Sequence, residues 1–531
     1  MGLLEVDLEN FGNGEKKATK FLEISTEKLQ KMVEPLTPNI EIEYIVRFGW
    51  LCNNQVYFEV MDRFQKNKNI YYFDFEQMIE NSNETSNLLK LLYKQTANQK
   101  NYWLSVDFCT KPIPNNPNLV LFASEKTDFR HLYAKNLKTD EIIRISNFED
   151  QDAAFEVQPG DDSVFISNDG KSVFFVANGS GEQTLKYALY RCSAESILKG
   201  SPDVKRMTAI EEDSSNFLVS TDSTLLICNG STIRNPMSGK LYKLEENFSN
   251  VNSWLNLNPS AMDLNPNQIT PIPFQFTEPN GDLLYGMLYK PKNFDPSKKY
   301  PLYLYVYGGP GVKLVHHGFP GRRDRNHQII SQFGYFAAYI DNRGSNGRGL
   351  KFASHLYENL GKNELDDQVA TVRYLSEHFE VSKNNIDTDR VAISGWSYGG
   401  FMSLYAMCRR NDIFKLGLCG APPTDWKLYD TAYTERYLLT PQLNKEIYKA
   451  TTNIMHYADG FPDQPNRVFL FHGLRDENVH VKNTTALIDE LINLGKPYSL
   501  QVYPSERHGM RTFKSYIHNL AFMVKTLEDY L

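Results

Sequence analysis

The run Gly395-Trp396-Ser397-Tyr398-Gly399-Gly400, behind the apolar segment Arg390-Val391-Ala392-Ile393-Ser394, constrains this chain more than any other stretch of it. The apolar segment predicts a strand, and Phe401, Leu404, Tyr405 and Cys408 recur at helical spacing behind the glycines. A serine therefore stands at a sharp strand-to-helix turn. Glycines flank it because the cramped backbone leaves no room for a Cβ. Such a turn lifts the hydroxyl above a sheet, beside a helix N-terminus. A glycine-rich turn without chemistry also fits these six residues, so the remaining constellation must decide.

Two further strand ends supply it. Val468-Phe469-Leu470-Phe471 runs into His472-Gly473-Leu474-Arg475-Asp476-Glu477-Asn478-Val479, and the strand from Tyr498 to Tyr503 runs into Pro504-Ser505-Glu506-Arg507-His508-Gly509. Between them Ala486, Leu487, Leu491 and Leu494 mark one amphipathic helix. Ser397, Asp476 and His508 follow in the order of an α/β-hydrolase triad, with Gly-x-Ser-x-Gly as its nucleophile elbow. Each lies just past a strand's C-terminal end, where open α/β sheets place their sites. A serine hydroxyl is a poor nucleophile until an imidazole accepts its proton. A carboxylate must then fix the tautomer of that imidazole. Glu477, His480 and His518 compete less well: a loop neighbour points away from Asp476, His480 is too close to the Asp strand, and His518 falls in the last helix. For the oxyanion, the strand Leu302 to Val306 leads into Tyr307-Gly308-Gly309-Pro310-Gly311. The Tyr398 backbone N–H is one donor fixed in advance. The Tyr307 hydroxyl is either the second donor or a packed aromatic; its position leaves both open.

These motifs, with Tyr429-Asp430-Thr431-Ala432-Tyr433-Thr434-Glu435-Arg436-Tyr437 and Asp476 to His480, resemble the prolyl oligopeptidase family, in its dipeptidyl peptidase IV branch and with most likeness to its cytosolic subgroup. The strong match covers about residues 271–531, and a weaker one reaches upstream to Glu41-Ile42-Glu43-Tyr44-Ile45. The resemblance implies the triad Ser397, Asp476 and His508, and Tyr307 as the hydroxyl donor. It also implies a pocket for proline or alanine before the cleaved bond, lined by Tyr398, Pro423, Trp426, Tyr429, Tyr433 and Val479, with Asn478 touching substrate. Pro423 departs from the family's usual valine. A flat pyrrolidine ring gains by burial against aromatic faces and loses little entropy. Without the resemblance, Trp426, Tyr429 and Tyr433 read as a helix-face core.

The resemblance implies an all-β, partial β-propeller-like domain over residues 1–255, a linker over 256–273 and the α/β-hydrolase peptidase domain over 274–531. The N-terminal half supports this with a loose repeat of aromatic strands, Ile70 to Asp74, His131 to Ala134, Ala188 to Arg191 and Lys240 to Lys243, around Tyr72, Tyr133, Tyr190 and Tyr242. Its spacing exceeds the ~40–50 residues of a blade repeat. Relatives carry eight blades and a glutamate pair that grips the substrate's amino terminus. That segment would precede the first matched residue here. Glu211-Glu212 and Glu245-Glu246 lack the right neighbours and are expected as solvated turns. About four or five blades are expected, with an open edge to pair or cover.

The net charge of −7 argues against a nucleic-acid partner. No apolar run approaches the ~20 residues of a membrane span. Six scattered cysteines and an N-terminus without a basic flank and apolar core favour the cytoplasm. No metal or other cofactor is expected. The expected partners are peptide substrates and, by resemblance, a second copy docked through the helix Ser515 to Leu531. The leading expectation is a serine-type peptidase cleaving after proline or alanine near peptide N-termini. An acylaminoacyl peptidase or esterase, or a catalytically weak scaffold relative, are the alternatives.

Overall fold

The computed structural model describes residues 2–6, 18–81, 87–106, 109–146, 156–160, 163–179, 181–209, 211–244, 255–256, 268–321, 324–450 and 453–531. The C-terminal half is built on eight strands: β1 (Ile272–Thr277), β2 (Leu283–Tyr289), β3 (Tyr300–Tyr305), β4 (Phe336–Asp341), β5 (Ile386–Trp396), β6 (Leu416–Gly420), β7 (Val468–Gly473) and β8 (Ser499–Tyr503). Their order in the sheet is β1-β2-β4-β3-β5-β6-β7-β8. The pairings of β1 with β2 and of β2 with β4 are antiparallel; all others are parallel. Parallel strands are covered on both faces and so read as continuous apolar runs. Val391, Ala392 and Ile393 have no exposed surface.

Alternate residues serve the two faces. Val391 and Ile393 pack with Leu365 and Val369 of α1 (Lys362–Glu377) and with Phe401 and Leu404 of α2 (Tyr398–Arg409). Ala392 and Tyr303 pack on the other face with Leu520, Val524 and Leu527 of the last helix (Phe513–Tyr530). That helix starts two residues before the expected Ser515. Thr512 caps it, its hydroxyl accepting from the Ser515 N–H at 3.3 Å. This is an α/β-hydrolase fold, and among the described residues no helix is long and apolar enough to cross a membrane.

The N-terminal half is all-β in its sheets. Among the described residues, a two-stranded sheet (Gly2–Val6 with Ala18–Glu23) is followed by four larger antiparallel sheets: Tyr44–Trp50 to Lys90–Thr96, Lys111–Ile113 to Ile142–Arg144, Glu156–Val157 to Lys205–Arg206, and Asp213–Val219 to Leu255–Asn256. The four repeated aromatic segments each fall in the third strand along their sheet's path (Asn67–Asp74, Phe129–Asn136, Ala188–Ser193 and Ser238–Lys243). Sheets stack through shared apolar layers. Tyr57 and Tyr93 of the first meet Phe122 and Tyr133 of the second, and Phe174 and Leu189 of the third meet Leu226 and Tyr242 of the fourth. Tyr133, Tyr190 and Tyr242 each face the preceding sheet. In the first sheet that side belongs to Tyr71, which packs with Leu29 and Met32 of the helix Thr26–Val33, while Tyr72 faces forward. The repeat therefore runs through Tyr71 rather than Tyr72. At the two ends of the stack, Phe48 and Trp50 are exposed on the first sheet and Leu218 on the fourth.

Two further expectations change. Glu212 is no solvated turn residue: it pairs with Lys240, and both side chains are largely buried. Glu245 and Glu246 lie outside the described residues, as do residues 257–267 of the expected linker. Ile272 and Pro273, assigned to the end of that linker, already pair with Leu288 and Met287 in the sheet.

The sheets grip the hydrolase at several loops. Arg63 makes two bonds to the Glu435 carboxylate, at 2.5 and 2.9 Å, and Gln65 donates to the Ala432 carbonyl at 2.6 Å. Asn178 donates to the Gly347 carbonyl at 3.0 Å, and the Glu156 carboxylate accepts from the Gly349 N–H at 3.0 Å.

A close steric contact lies where α2 crosses β6. A Cβ on Gly400 would stand 2.2 Å from the Gly420 carbonyl oxygen. Both atoms belong to regular backbone, so neither moves away cheaply. Gly400→Ala is expected to lower the melting temperature by about 5 °C or more. Gly321→Ala, whose Cβ would meet nothing within 4 Å, is the control and should leave it unchanged. Equal melting temperatures for the two variants in differential scanning calorimetry would contradict this account of the packing.

Candidate active site

Ser397 sits between β5 and α2 with φ +61° and ψ −122°, a left-handed conformation that a side chain rarely adopts. Its N–H donates to the Gly420 carbonyl at 2.8 Å, which ties the turn to β6. The glycines on either side are required by contact. A Cβ on Gly395 would lie 2.3 Å from the Gly399 carbonyl oxygen, and one on Gly399 would lie 2.1 Å from the Val306 carbonyl oxygen. The elbow is thus pressed against the end of β3, which delivers the Tyr307 loop beside it. The first free N–H groups of α2 point out of the same turn, and the helix dipole favours negative charge there.

Asp476 follows β7 and His508 follows β8, on neighbouring parallel strands. Their side chains meet: His508 Nδ1–H donates to Asp476 Oδ2 at 2.7 Å, which leaves Nε2 as the basic nitrogen. Asp476 Oδ1 accepts from the backbone N–H groups of Asn478 and Val479 at 3.0 and 2.9 Å. A second imidazole, His472, lies fully buried with Nε2 at 3.4 Å from Asp476 Oδ2. Its Nε2–H donates to the Val479 carbonyl at 2.8 Å, and its Nδ1 accepts from Thr484 at 2.7 Å. Burial acts to raise the Asp476 carboxyl, but the bonds from His472, His508 and the Asn478 N–H outweigh it and hold the group well below the usual carboxylate range. Glu477 turns outward to Arg507 at 3.3 Å, His480 is exposed, and His518 packs in the last helix against Tyr503.

The aromatic residues converge on one box. Trp426 stacks on Tyr433 at 5.9 Å and meets Tyr429 edge-on at 5.6 Å, while Tyr429 and Tyr433 meet edge-on at 5.1 Å. The Tyr398 ring closes the box 5.4 Å from Trp426, and Tyr307 lies 6.0 Å from Tyr398. Tyr433 projects from α3 (Thr431–Leu438), the helix that Arg63 and Gln65 hold from the N-terminal half. Asn478 is exposed and accepts from the Tyr429 hydroxyl at 2.7 Å. Val479 is fully buried, and Pro423 is buried just beyond β6. The neighbouring Thr424 N–H donates to Asn483 Oδ1 at 3.0 Å. A separate cavity of about 720 Å³, lined by Phe276, Glu278, Arg343, Arg373 and Tyr374, contains none of these residues.

Two of these partners, His472 and Glu364, carried no functional reading in the sequence. Four residues before Asp476, His472 closes an otherwise apolar strand, and that polar intrusion was the available signal. Glu364 stands in the first turn of α1, fully buried, where its Oε1 accepts from the Tyr398 hydroxyl at 2.6 Å and from the Gly361 N–H at 2.8 Å. Nothing local distinguished it from an ordinary capping glutamate.

Residues 322–531 match the model of the prolyl oligopeptidase family, and residues 17–237 match that of the dipeptidyl peptidase IV (DPP IV) N-terminal region. The chain belongs to the prolyl oligopeptidase family, in its dipeptidyl peptidase IV branch. It is similar to dipeptidyl peptidase 8 of Mus musculus, with 33% identity over 94% of this chain and 59% of that protein. The Homo sapiens dipeptidyl peptidase 8 gives the same figures, 33%, 94% and 59%. A probable dipeptidyl-aminopeptidase B of Coccidioides posadasii is 38% identical over 46% of this chain and 25% of its own length. The chain spans 59% of the length of the first two relatives.

The Glu364 carboxyl is pushed up to about 7 from an ordinary 4.5, because burial disfavours its charge more than the Tyr398 hydroxyl and the Gly361 N–H favour it. The folded state therefore keeps a proton that the unfolded state gives up. The resulting stabilisation is complete below about pH 4.5 and is lost as pH rises through 7. Glu364→Gln cannot ionise. Relative to the unaltered protein it should gain about 3 kcal/mol of stability between pH 4.5 and pH 8, measured as the difference in unfolding free energy at the two values. A difference that does not change with pH would contradict the buried neutral acid.

Proposed function

We propose that the chain is a serine-type peptidase that cleaves after proline or alanine near the N-terminus of peptides, with Ser397, Asp476 and His508 as its triad. The observation that carries this is the Asp476–His508 hydrogen bond at the end of a sheet whose elbow presents Ser397. His508 Nε2 takes the Ser397 proton as Oγ attacks the peptide carbonyl, while Nδ1–H stays on Asp476. The tetrahedral oxyanion is met by the Tyr398 N–H and the Tyr307 hydroxyl. Collapse transfers the proton from His508 to the leaving amine and leaves an acyl-enzyme, which water then resolves by the same steps in reverse. The box of Tyr398, Trp426, Tyr429, Tyr433 and Val479, with Pro423 at its edge, takes the proline ring, and Asn478 faces the bound peptide.

The names of the relatives support a dipeptidyl peptidase-like action. The gate for a free amino terminus needs acidic side chains, and Glu435 on the pocket helix is engaged by Arg63 at 2.5 Å. An ammonium without carboxylate partners loses several kcal/mol. In this chain by itself, proline selectivity is therefore expected to outlast dipeptidyl selectivity. The six cysteines are scattered along the sequence with no close pair, and a reducing cytoplasm is the proposed setting. Phe513 and Ile517 are exposed on the last helix, which makes that helix the proposed surface for a second copy.

A fluorophosphonate probe should label Ser397, and Ser397→Ala should abolish labelling and turnover; labelling elsewhere contradicts the assignment. Tyr307→Phe should lower kcat by ~100–1,000-fold with far less effect on KM. An unchanged kcat returns Tyr307 to a packing role. The kcat/KM ratio of a free-amino Gly-Pro reporter to its acetylated twin should lie near one. A ratio above about 100, some 2.7 kcal/mol, would show that acidic residues of this chain do gate the amino terminus.

A further inference from the structure

Tyr398 occupies three positions at once. Its N–H lies in the first turn after Ser397, its ring forms a wall of the aromatic box, and its hydroxyl runs to α1. The ring is 2% exposed and is contacted on several sides, by Trp426 and Phe401 at 5.4 Å each and by Tyr307 at 6.0 Å. The loop that carries Tyr307 rests on it directly. A Cβ on Gly309 would stand 2.5 Å from the ring's Cγ, so that glycine lies flat on the aromatic face. Any tilt of this ring displaces Tyr307 on one side and Trp426 on the other.

The hydroxyl end of the ring is held by a polar bond. The Tyr398 hydroxyl donates to Glu364 Oε1 at 2.6 Å. The same oxygen accepts from the Gly361 N–H at 2.8 Å, which closes the first turn of α1, and Glu364 Oε2 is buried without a hydrogen-bond partner among the described residues. The remaining ionisable groups that act on this carboxyl or feel it are Asp367 on α1 and Tyr405 on α2. Gly361 is held against the rings of Phe401 and Tyr405, where its own Cβ would meet atoms at 3.2 and 3.3 Å. The acceptor is therefore anchored in the hydrolase core, on an element that carries no triad residue.

We infer that Glu364 is a positioning residue for the oxyanion site: by holding the Tyr398 hydroxyl it sets the ring on which the Tyr307 loop rests, and with it the direction of both oxyanion donors. This rests on the peptidase reading above. Oxyanion charge exists only in the transition state, so a loosened donor pair lowers kcat and leaves KM nearly as it was. A merely structural glutamate lowers the amount of folded protein without changing the kcat of what remains folded.

The test uses the whole chain, an Xaa-Pro reporter substrate, and active protein counted by fluorophosphonate titration. Tyr398→Phe removes the hydroxyl alone. It should lower kcat about 10-fold with KM within about 2-fold, since a misplacement of about 1 Å costs up to 10²-fold and the shift expected here is smaller. Glu364→Ala should give a similar loss, and the double variant no further loss, because both substitutions cut one bond. Glu364→Gln keeps a carbonyl oxygen for both donors and should restore kcat to within about 3-fold of the unaltered chain. If Glu364→Ala does not fold, Tyr398→Phe and Glu364→Gln decide by themselves. A folded Tyr398→Phe variant with full kcat, a loss confined to KM, or multiplying losses in the double variant would each overturn the inference while Ser397→Ala remains inactive. Turnover that survives Ser397→Ala, or none in the unaltered chain, overturns the peptidase reading and this inference with it.

Discussion

Three glycines set the geometry of everything around the candidate site: Gly395 and Gly399 against the end of β3 and each other, and Gly400 against the Gly420 carbonyl of β6. They bring a helix N-terminus to within backbone distance of two parallel strands, closer than any residue with a Cβ allows. The left-handed Ser397 is the consequence. A strained backbone of this kind costs of order 1–3 kcal/mol and persists only where its surroundings over-determine it. Here the surroundings are the buried runs Leu302–Leu304 of β3 and Val391–Ile393 of β5, the Ser397 N–H bond to Gly420 and the apolar underside of α2. In return the turn places a hydroxyl, free N–H groups and the Tyr307 loop within one small volume.

Two buried carboxyl groups flank that volume with opposite electrostatics. Asp476 is held ionised by a dense set of donors, two imidazoles and two backbone N–H groups. A buried carboxylate with such support gives a lasting orienting charge for His508. Glu364 accepts on one oxygen from a phenol and from the Gly361 N–H, and burial pushes its carboxyl up to about 7. The difference lies in the number of donors each loop can deliver, since both side chains are equally hidden from solvent. Below about pH 7 one group carries charge while the other keeps its proton.

The N-terminal sheets act on the site through α3. Arg63, Gln65 and Trp103 engage Glu435, Arg436 and Tyr437 on the outer side of that helix, while Tyr433 faces the box. Half of the Arg63 side chain remains in water while Glu435 is nearly buried. The pair therefore serves to satisfy Glu435 and fix the helix register more than to add net stability.

Much of the hydrolase half could be read directly from the chain. The elbow, the strands before Tyr307, Asp476 and His508, and the aromatic helix are local patterns, carried by residues a few positions apart. Backbone sterics and side-chain periodicity act over that range, so sequence alone determines them. The third strand of each N-terminal sheet was legible for the same reason, although choosing between Tyr71 and Tyr72 required knowing which face each sheet buries. The tertiary structure decided the rest. The bond from Glu364 to Tyr398 joins residues 34 apart, and the one from Arg63 to Glu435 joins residues 372 apart. Polar partners at such separations leave no periodic trace, because a glutamate in a capping position and an arginine in a turn look the same whether they face solvent or a buried hydroxyl. Only the packing of α1 on α2, and of the first sheet on α3, determines which of them it is.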